Sequence, residues 1–148
     1  MASRKLEDCS IEFAATLAEF ELQLRGAGID FVRACTARPK DEQDKLYALG
    51  RTAPGLRVTN LKGGQSLHND EVEGMPTANA ADYYPLLHGK LASDQTDAEL
   101  DLWARLGQIA LACGMEWGGN FKGGLIDRPH VQMNRVQYLA WYAATQKG

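Results

Sequence analysis

Histidine is the side chain best suited to hold a metal or to move a proton near neutral pH, and this chain carries three: His68, His88 and His130. A lone histidine is more often a core or surface residue than a ligand, so the neighbours decide. His68 sits in Gln65-Ser66-Leu67-His68-Asn69, just after the pair Gly63-Gly64, in a loop able to approach a site closely. Asp82 follows in Ala80-Ala81-Asp82-Tyr83, an acid behind small residues and among apolar ones. Such a carboxylate needs a cation or several donors to stay ionised; the plainer alternative is an Asp that caps a turn. His130 lies in Ile126-Asp127-Arg128-Pro129-His130-Val131. Pro129 removes a backbone donor and holds Arg128 extended. A bend there can bring Asp127 and His130 to one side, so that one binds a metal and the other accepts a proton from water.

Two neutral imidazoles and one carboxylate leave a fourth zinc position open for water, the arrangement of a catalytic site. Zinc brings the water pKa toward ~7 and polarises a scissile carbonyl, and a nearby carboxylate can act as general base. No His-Glu-x-x-His segment occurs, which excludes the common helical zinc site. The cysteines, Cys9, Cys35 and Cys113, are odd in number, far apart and without a Cys-x-x-Cys pair, which argues against a zinc knuckle or a thioredoxin-type site. Cys35 and Cys113 fall within apolar patterns and are expected to be reduced and buried, with a cysteine nucleophile as the lesser alternative.

The elements that must position these groups are legible in outline. Phe13, Leu17, Phe20 and Leu24 recur at helical spacing, so a helix is expected from about Ser10, its cap, to Arg25, with Gly26 and Gly28 ending it. Asp30 to Thr36 reads as a strand. Pro39 opens a short helix to about Leu49, with Asp41 and Glu42 in its first turn. Residues 53–81 are Gly-rich and mostly loop, with a turn signal at Gly74-Met75-Pro76. Thr96 and Glu99 form a capping-box pattern at the head of a helix to about Cys113. Leu125 to Met133 reads as a strand broken at Pro129, and a last helix runs from about Asn134 to Gln146. Helices with few, separated strands predict an α+β fold and not a βαβ repeat.

Size and charge bound the function. At 148 residues, 45% apolar and 24% charged, the chain suits one domain with one core. The net charge of -3 implies no partner by itself. Residues 61–100 hold Asp70, Glu71, Glu73, Asp82, Asp94, Asp97 and Glu99 against Lys62 and Lys90, the wrong sign for nucleic acid. No apolar run is long enough to span a membrane. Glu7, Asp8 and Glu12 interrupt the segment after the first basic residues, so no secretory signal is read. A cytoplasmic location in the producing cell is expected.

Three blocks of sequence resemble the zinc peptidoglycan peptidases that include the VanY- and VanX-type D,D-peptidases and the phage L-alanyl-D-glutamate endopeptidases. Thr36-Ala37-Arg38-Pro39-Lys40-Asp41-Glu42-Gln43, continuing through Leu46-Tyr47-Ala48-Leu49-Gly50-Arg51, is similar to the family's Arg-x-x-x-Glu-Gln and Leu-Tyr-x-x-Gly-Arg segments. Ser66-Leu67-His68 with Ala80-Ala81-Asp82 resembles the Ser-x-His … Ala-x-Asp zinc motif, here with a longer stretch between His and Asp. Trp117-Gly118-Gly119, then Asp127-Arg128-Pro129-His130, resembles the Trp-Gly-Gly … Asp/Glu-x-x-His ending.

The resemblance implies one zinc ion per chain, held by His68, Asp82 and His130. It implies Asp127 as general base and Arg38 as the cation near a substrate carboxylate or developing oxyanion. Gln43, Ser66 and Trp117 become candidates for the site wall or for support behind the ligands, and His88 matches no ligand position. It implies a small antiparallel sheet flanked by helices, with zinc in a central cleft of the Hedgehog/D,D-peptidase kind. Residues 1–148 are then one catalytic domain without a separate wall-binding module, expected to act as a monomer on bacterial peptidoglycan after release, as a phage-type endolysin would. The leading expectation is hydrolysis of the L-Ala–D-Glu bond. A D-Ala–D-Ala carboxypeptidase or dipeptidase with the same zinc chemistry is the first alternative, and a non-catalytic, zinc-stabilised wall-binding module the second. The loop from Asp70 to about Ala78 reads as a hairpin excursion with influence on substrate choice.

Overall fold

The computed structural model describes residues 1–146. Its helices follow from the patterns above. Helix α1 (Ile11–Gly26) starts where the Ser10 hydroxyl accepts from Phe13 N, and buries Phe13, Leu17, Phe20 and Leu24. Each such side chain contributes roughly 1.5–3 kcal/mol of hydrophobic stabilisation. Helix α2 (Lys40–Ala48) begins after Pro39. Helix α3 (Asp97–Ala112) has the full Thr96/Glu99 capping box and buries Leu102, Trp103, Leu106, Gly107 and Ala110. Helix α4 (Arg135–Thr145) is capped by Asn134.

The strands are β1 (Phe31–Cys35), β2 (Glu71–Val72), β3 (Met75–Pro76), β4 (Ala80–Leu87), β5 (Lys90–Leu91), β6 (Met115–Trp117) and β7 (His130–Met133). The main sheet runs β1-β4-β7-β6, with β5 pairing to the far end of β4. All its pairs are antiparallel. The expected α+β architecture is therefore present. The strand expected from Leu125 shrinks to His130–Met133, because the segment before it turns back on itself: Asp127 N donates to Gly118 O and His130 N to Asp127 O.

Three strands, β4, β5 and β6, lie outside the elements expected from sequence. Pro85 in β4 argues against a central strand. The structure resolves this by position. Tyr83 donates its N–H toward Pro129, on the β7 side. Pro85, two residues on, turns the same way, where β7 has already ended and β5 has not begun. The missing donor falls in that gap.

Alternation along β4 and β7 divides the sheet into two faces. Ala81, Tyr83, Val131 and Met133 join α1 and α3 in the core. Behind them lies a buried charge network: Arg33 grips both carboxylate oxygens of Glu21 at 2.7 and 2.9 Å, and the Tyr83 hydroxyl donates to the same carboxylate. On the opposite face, Asp82 stands directly across from Cys35 of β1 and from His130 of β7. The register thus sets three polar or thiol side chains in one row.

The 70–78 excursion is a β2–β3 hairpin turning at Glu73 and Gly74, both at positive φ (51° and 78°), the backbone of a type I′ turn. Its base is pinned where Asp70 accepts from Asn79 Nδ2 and the Tyr138 hydroxyl.

Candidate metal centre

His68 reaches the row from a short 3-10 turn, Leu67–Asn69. Ser66 caps that turn through His68 N, and Asn69 returns a bond to the Ser66 backbone. The turn docks on the segment after β1: Arg38 N donates to His68 O, and Asn69 Nδ2 to Arg38 O. Sequence reading placed Ser66 near the site; the structure shows that its hydroxyl fixes the backbone of the neighbouring histidine.

The two imidazoles converge on one carboxylate oxygen. Asp82 Oδ1 lies 3.3 Å from His68 Nε2 and 3.6 Å from His130 Nδ1. These separations match the edge of a tetrahedron with zinc–ligand arms near 2.0–2.1 Å, roughly 3.3–3.4 Å. Oδ1 is also a buried oxygen with no hydrogen-bond partner, although buried polar atoms are rarely left unpaired. A cation at the centre of this triangle satisfies it.

The far nitrogen of each ring is held as a metal ligand requires. His68 Nδ1 lies 2.7 Å from Thr36 O, and His130 Nε2 lies 2.7 Å from Gln132 Oε1. With those nitrogens protonated, both inward nitrogens carry lone pairs. The Gln132 amide donates onward to Glu116, whose other oxygen accepts from Arg135 N. Burial would raise the Asp82 carboxyl, but the facing His68 and His130 rings, in their protonated form without a metal, overcome this and hold it well below the usual carboxylate range. The donor set fits zinc.

Cys35, on the same row, belongs elsewhere. Its sulfur lies 3.8 Å from His68 Nδ1, the nitrogen turned away from Asp82. Burial pushes its thiol up to about 11, so it is not a poised nucleophile. All three cysteines are free, and Cys113 is only partly buried.

Asp127 sits at the rim, 3.9 Å from His130 Nδ1 and with 46% of its side chain exposed. Desolvation raises its carboxyl above the ordinary value. Arg38 reaches the other oxygen of Asp82 at 3.3 Å, and also donates to Gln43 and the Cys35 sulfur. Gln43 is buried and donates to Leu61 O, tying α2 to the 58–61 loop. Asp70, Glu71 and Glu73 do not line the cleft over this centre, and His88 occupies an exposed turn at positive φ (52°).

Trp117 lies behind the cleft, not on its wall. Its indole N–H donates to Arg128 O at 2.7 Å. The ring lies so close to Gly107 and Gly119 that a Cβ on either would come within 2.2 Å of it, and a Cβ on Gly118 would come within 2.0 Å of Asp127 O. The Trp-Gly-Gly segment therefore lets the 127–130 loop seat against the sheet.

The cleft over this centre has a volume of about 630 Å³, with α2 and the 58–61 loop on one wall and residues 121–125 on the other. A smaller cavity of about 270 Å³ lies on the other side of Asp127, lined by Tyr84, Trp103 and Arg128 among others. The hairpin touches neither.

Gln132, Glu116 and the Thr36 carbonyl are supporting groups that sequence reading missed. One signal was present: alternation in a strand places Gln132 on the face of His130.

No family model matches the chain. The chain is 37% identical over 113 residues to the peptidoglycan L-alanyl-D-glutamate endopeptidase CwlK of Bacillus subtilis, a match covering 72% of this chain and 62% of that protein. Its fold is similar to that of the L-Ala D-Glu endopeptidase ChiX of Serratia marcescens, with a TM-score of 0.58 and 24% identity, covering 90% of this chain and 86% of the other. The resemblance read from the three motif blocks thus extends to overall sequence and to fold. No described helix is long and apolar enough to cross a membrane.

Proposed function

We propose that this chain is a zinc peptidase of the peptidoglycan endopeptidase family and that it hydrolyses the bond between L-Ala and D-Glu in stem peptides. The observation that carries the reading is the unpartnered Asp82 Oδ1 facing two oriented imidazoles, in a chain similar to an enzyme named for that bond. His68, Asp82 and His130 would hold the metal, which supplies Lewis acidity and acidifies water when bound. Asp127, raised in pKa and open to the cleft, takes the proton of the attacking water and passes it to the leaving amine. Arg38 neutralises the outer oxygen of Asp82 and keeps that carboxylate oriented. Arg38 also lines the cleft, where negative charge develops on the carbonyl oxygen.

Internal cleavage is favoured over removal of a terminal D-Ala by the space around Asp127. Cavities lie on both sides of it, as an internal bond requires. Arg38 is committed to Asp82 and Gln43 and does not close one end. The test incubates zinc-loaded protein with intact muropeptides and with a pentapeptide ending in D-Ala–D-Ala, followed by mass spectrometry. Fragments with a new N-terminal D-Glu are expected. Release of free D-Ala alone would make the protein a carboxypeptidase, and no cleavage of either would leave a zinc-stabilised binding module.

A further inference from the structure

The charged residues lining the cleft are unequal. Arg38 and Asp82 are paired with each other, and Asp127 faces His130. Lys122 is the remaining one; among the described residues it makes no ion pair or side-chain hydrogen bond, and it is exposed on the cleft wall. Beyond the metal centre both walls carry apolar side chains, Leu46 and Leu49 on one and Phe121 and Leu125 on the other.

The backbone holds Lys122 close to the reacting centre. Phe121, its neighbour, packs its ring 5.6 Å from the His130 imidazole. On its other side, Gly123 adopts positive φ (74°) and Gly124 approaches the opposite wall, where an added Cβ would come within 3.0 Å of Asn60 Nδ2. Asn60 is itself held by Arg51. Lys122 thus stands at the narrow crossing between the two walls.

We infer that Lys122 is a specificity-determining residue that pairs with the free carboxylate of the glutamyl residue on the leaving-amine side of the scissile bond. This rests on the peptidase reading above. A glutamyl residue whose amine is in the scissile bond has two carboxyl groups, and the peptide can continue through only one. The other stays ionised unless it is amidated, and an unpaired ammonium beside apolar walls is its complement.

The test uses zinc-loaded enzyme and two synthetic stem peptides, identical except that this carboxylate is free in one and a carboxamide in the other. The parent enzyme should prefer the carboxylate about five- to twentyfold in kcat/KM, as expected for one charge-assisted contact, with the difference mostly in KM and shrinking as salt rises. In Lys122→Met the preference should fall to about one, with zinc content and Tm unchanged, and Lys122→Arg should retain it. Equal cleavage of both peptides by the parent enzyme, or a preference that survives in Lys122→Met, overturns the inference while leaving the peptidase reading intact. Cleavage of neither peptide overturns both.

Discussion

The division of labour between adjacent residues is sharpest at Asp127 and His130, three positions apart. His130 turns inward to Asp82, and Asp127 stays at the rim. Asp127→Asn should therefore retain one zinc while turnover falls by ~10²–10⁴-fold, the usual cost of losing a positioned general base. Elemental analysis beside kcat checks this; loss of metal in step with activity would make Asp127 a ligand instead. Gln132 acts one bond further out. Gln132→Leu leaves the His130 Nε2 proton without its acceptor, and zinc affinity should drop by roughly 10–100-fold in a competition titration against a chromophoric chelator. His68, Asp82 and His130, the proposed ligands, were read from the resemblance of their blocks to a family motif, since flanking residues alone left a turn-capping role as the plainer reading of Asp82. Their supports were not: Thr36 contributes a backbone carbonyl, which no side-chain motif records, and Gln132 becomes informative only once its strand is known.

At the scale of elements, the helices were readable because their ends carry local chemistry. Ser10, Thr96 and Asn134 each accept from the backbone they cap. Strand β4 was not, since its small first residues and Pro85 look unlike a central strand until its neighbours are in place. Glu99 offers a direct test of the capping reading. Hydrogen bonds from Ser93 and Thr96 lower its pKa to about 2. A depressed carboxyl stabilises the fold above its unfolded pKa, and that contribution is lost as pH falls through the folded one. Glu99→Gln should thus lower Tm at pH 6, and its deficit against the parent chain should shrink between about pH 4.5 and 2. A deficit independent of pH would assign the effect to shape and not to charge. The Trp-Gly-Gly segment makes a steric prediction. In Gly118→Ala the new methyl meets the Asp127 backbone, so the 127–130 loop must lift. A destabilisation of about 1–3 kcal/mol is expected in urea unfolding, together with weakened zinc binding, whereas a folded variant with unchanged affinity would show that the loop seats independently of this contact.

For the whole molecule, metal and fold should be coupled, because the three proposed ligands come from the 67–69 turn, β4 and β7. Metal that binds only the native state, with free zinc at ~1,000 times its Kd, contributes about 4 kcal/mol. On a domain of this size that corresponds to on the order of 10 °C in Tm. Calorimetry before and after treatment with a strong chelator measures it; an unchanged Tm would mean that the site is too weak to be resident. The β2–β3 hairpin stands apart from this coupling. Sequence reading gave its loop an influence on substrate choice; Glu71, Gly74 and Pro76 line neither the main cleft nor the cavity beside Asp127 but share a third cavity of about 290 Å³ with Arg38 and His68, and the base of the hairpin is tied to Asn79 and Tyr138. The hairpin itself was legible from Gly74-Met75-Pro76, while the direction it projects depends on α4, which arrives from the far end of the chain.

The row Cys35–Asp82–His130 also bears on the order in which the molecule can come together. Side chains alternate along a strand, so a one-residue slip of β4 against β7 would bring Ala81 or Tyr83 opposite His130 and leave the imidazole without its carboxylate. A misregistered sheet therefore has no metal centre. The nascent chain has none either until β7, the penultimate element, has joined β4. Closing that pair spans α3 and most of the second half of the sequence, which makes it a contact of long sequence separation and a late one. Capture of the proposed zinc would thus report that the sheet has closed in its correct register.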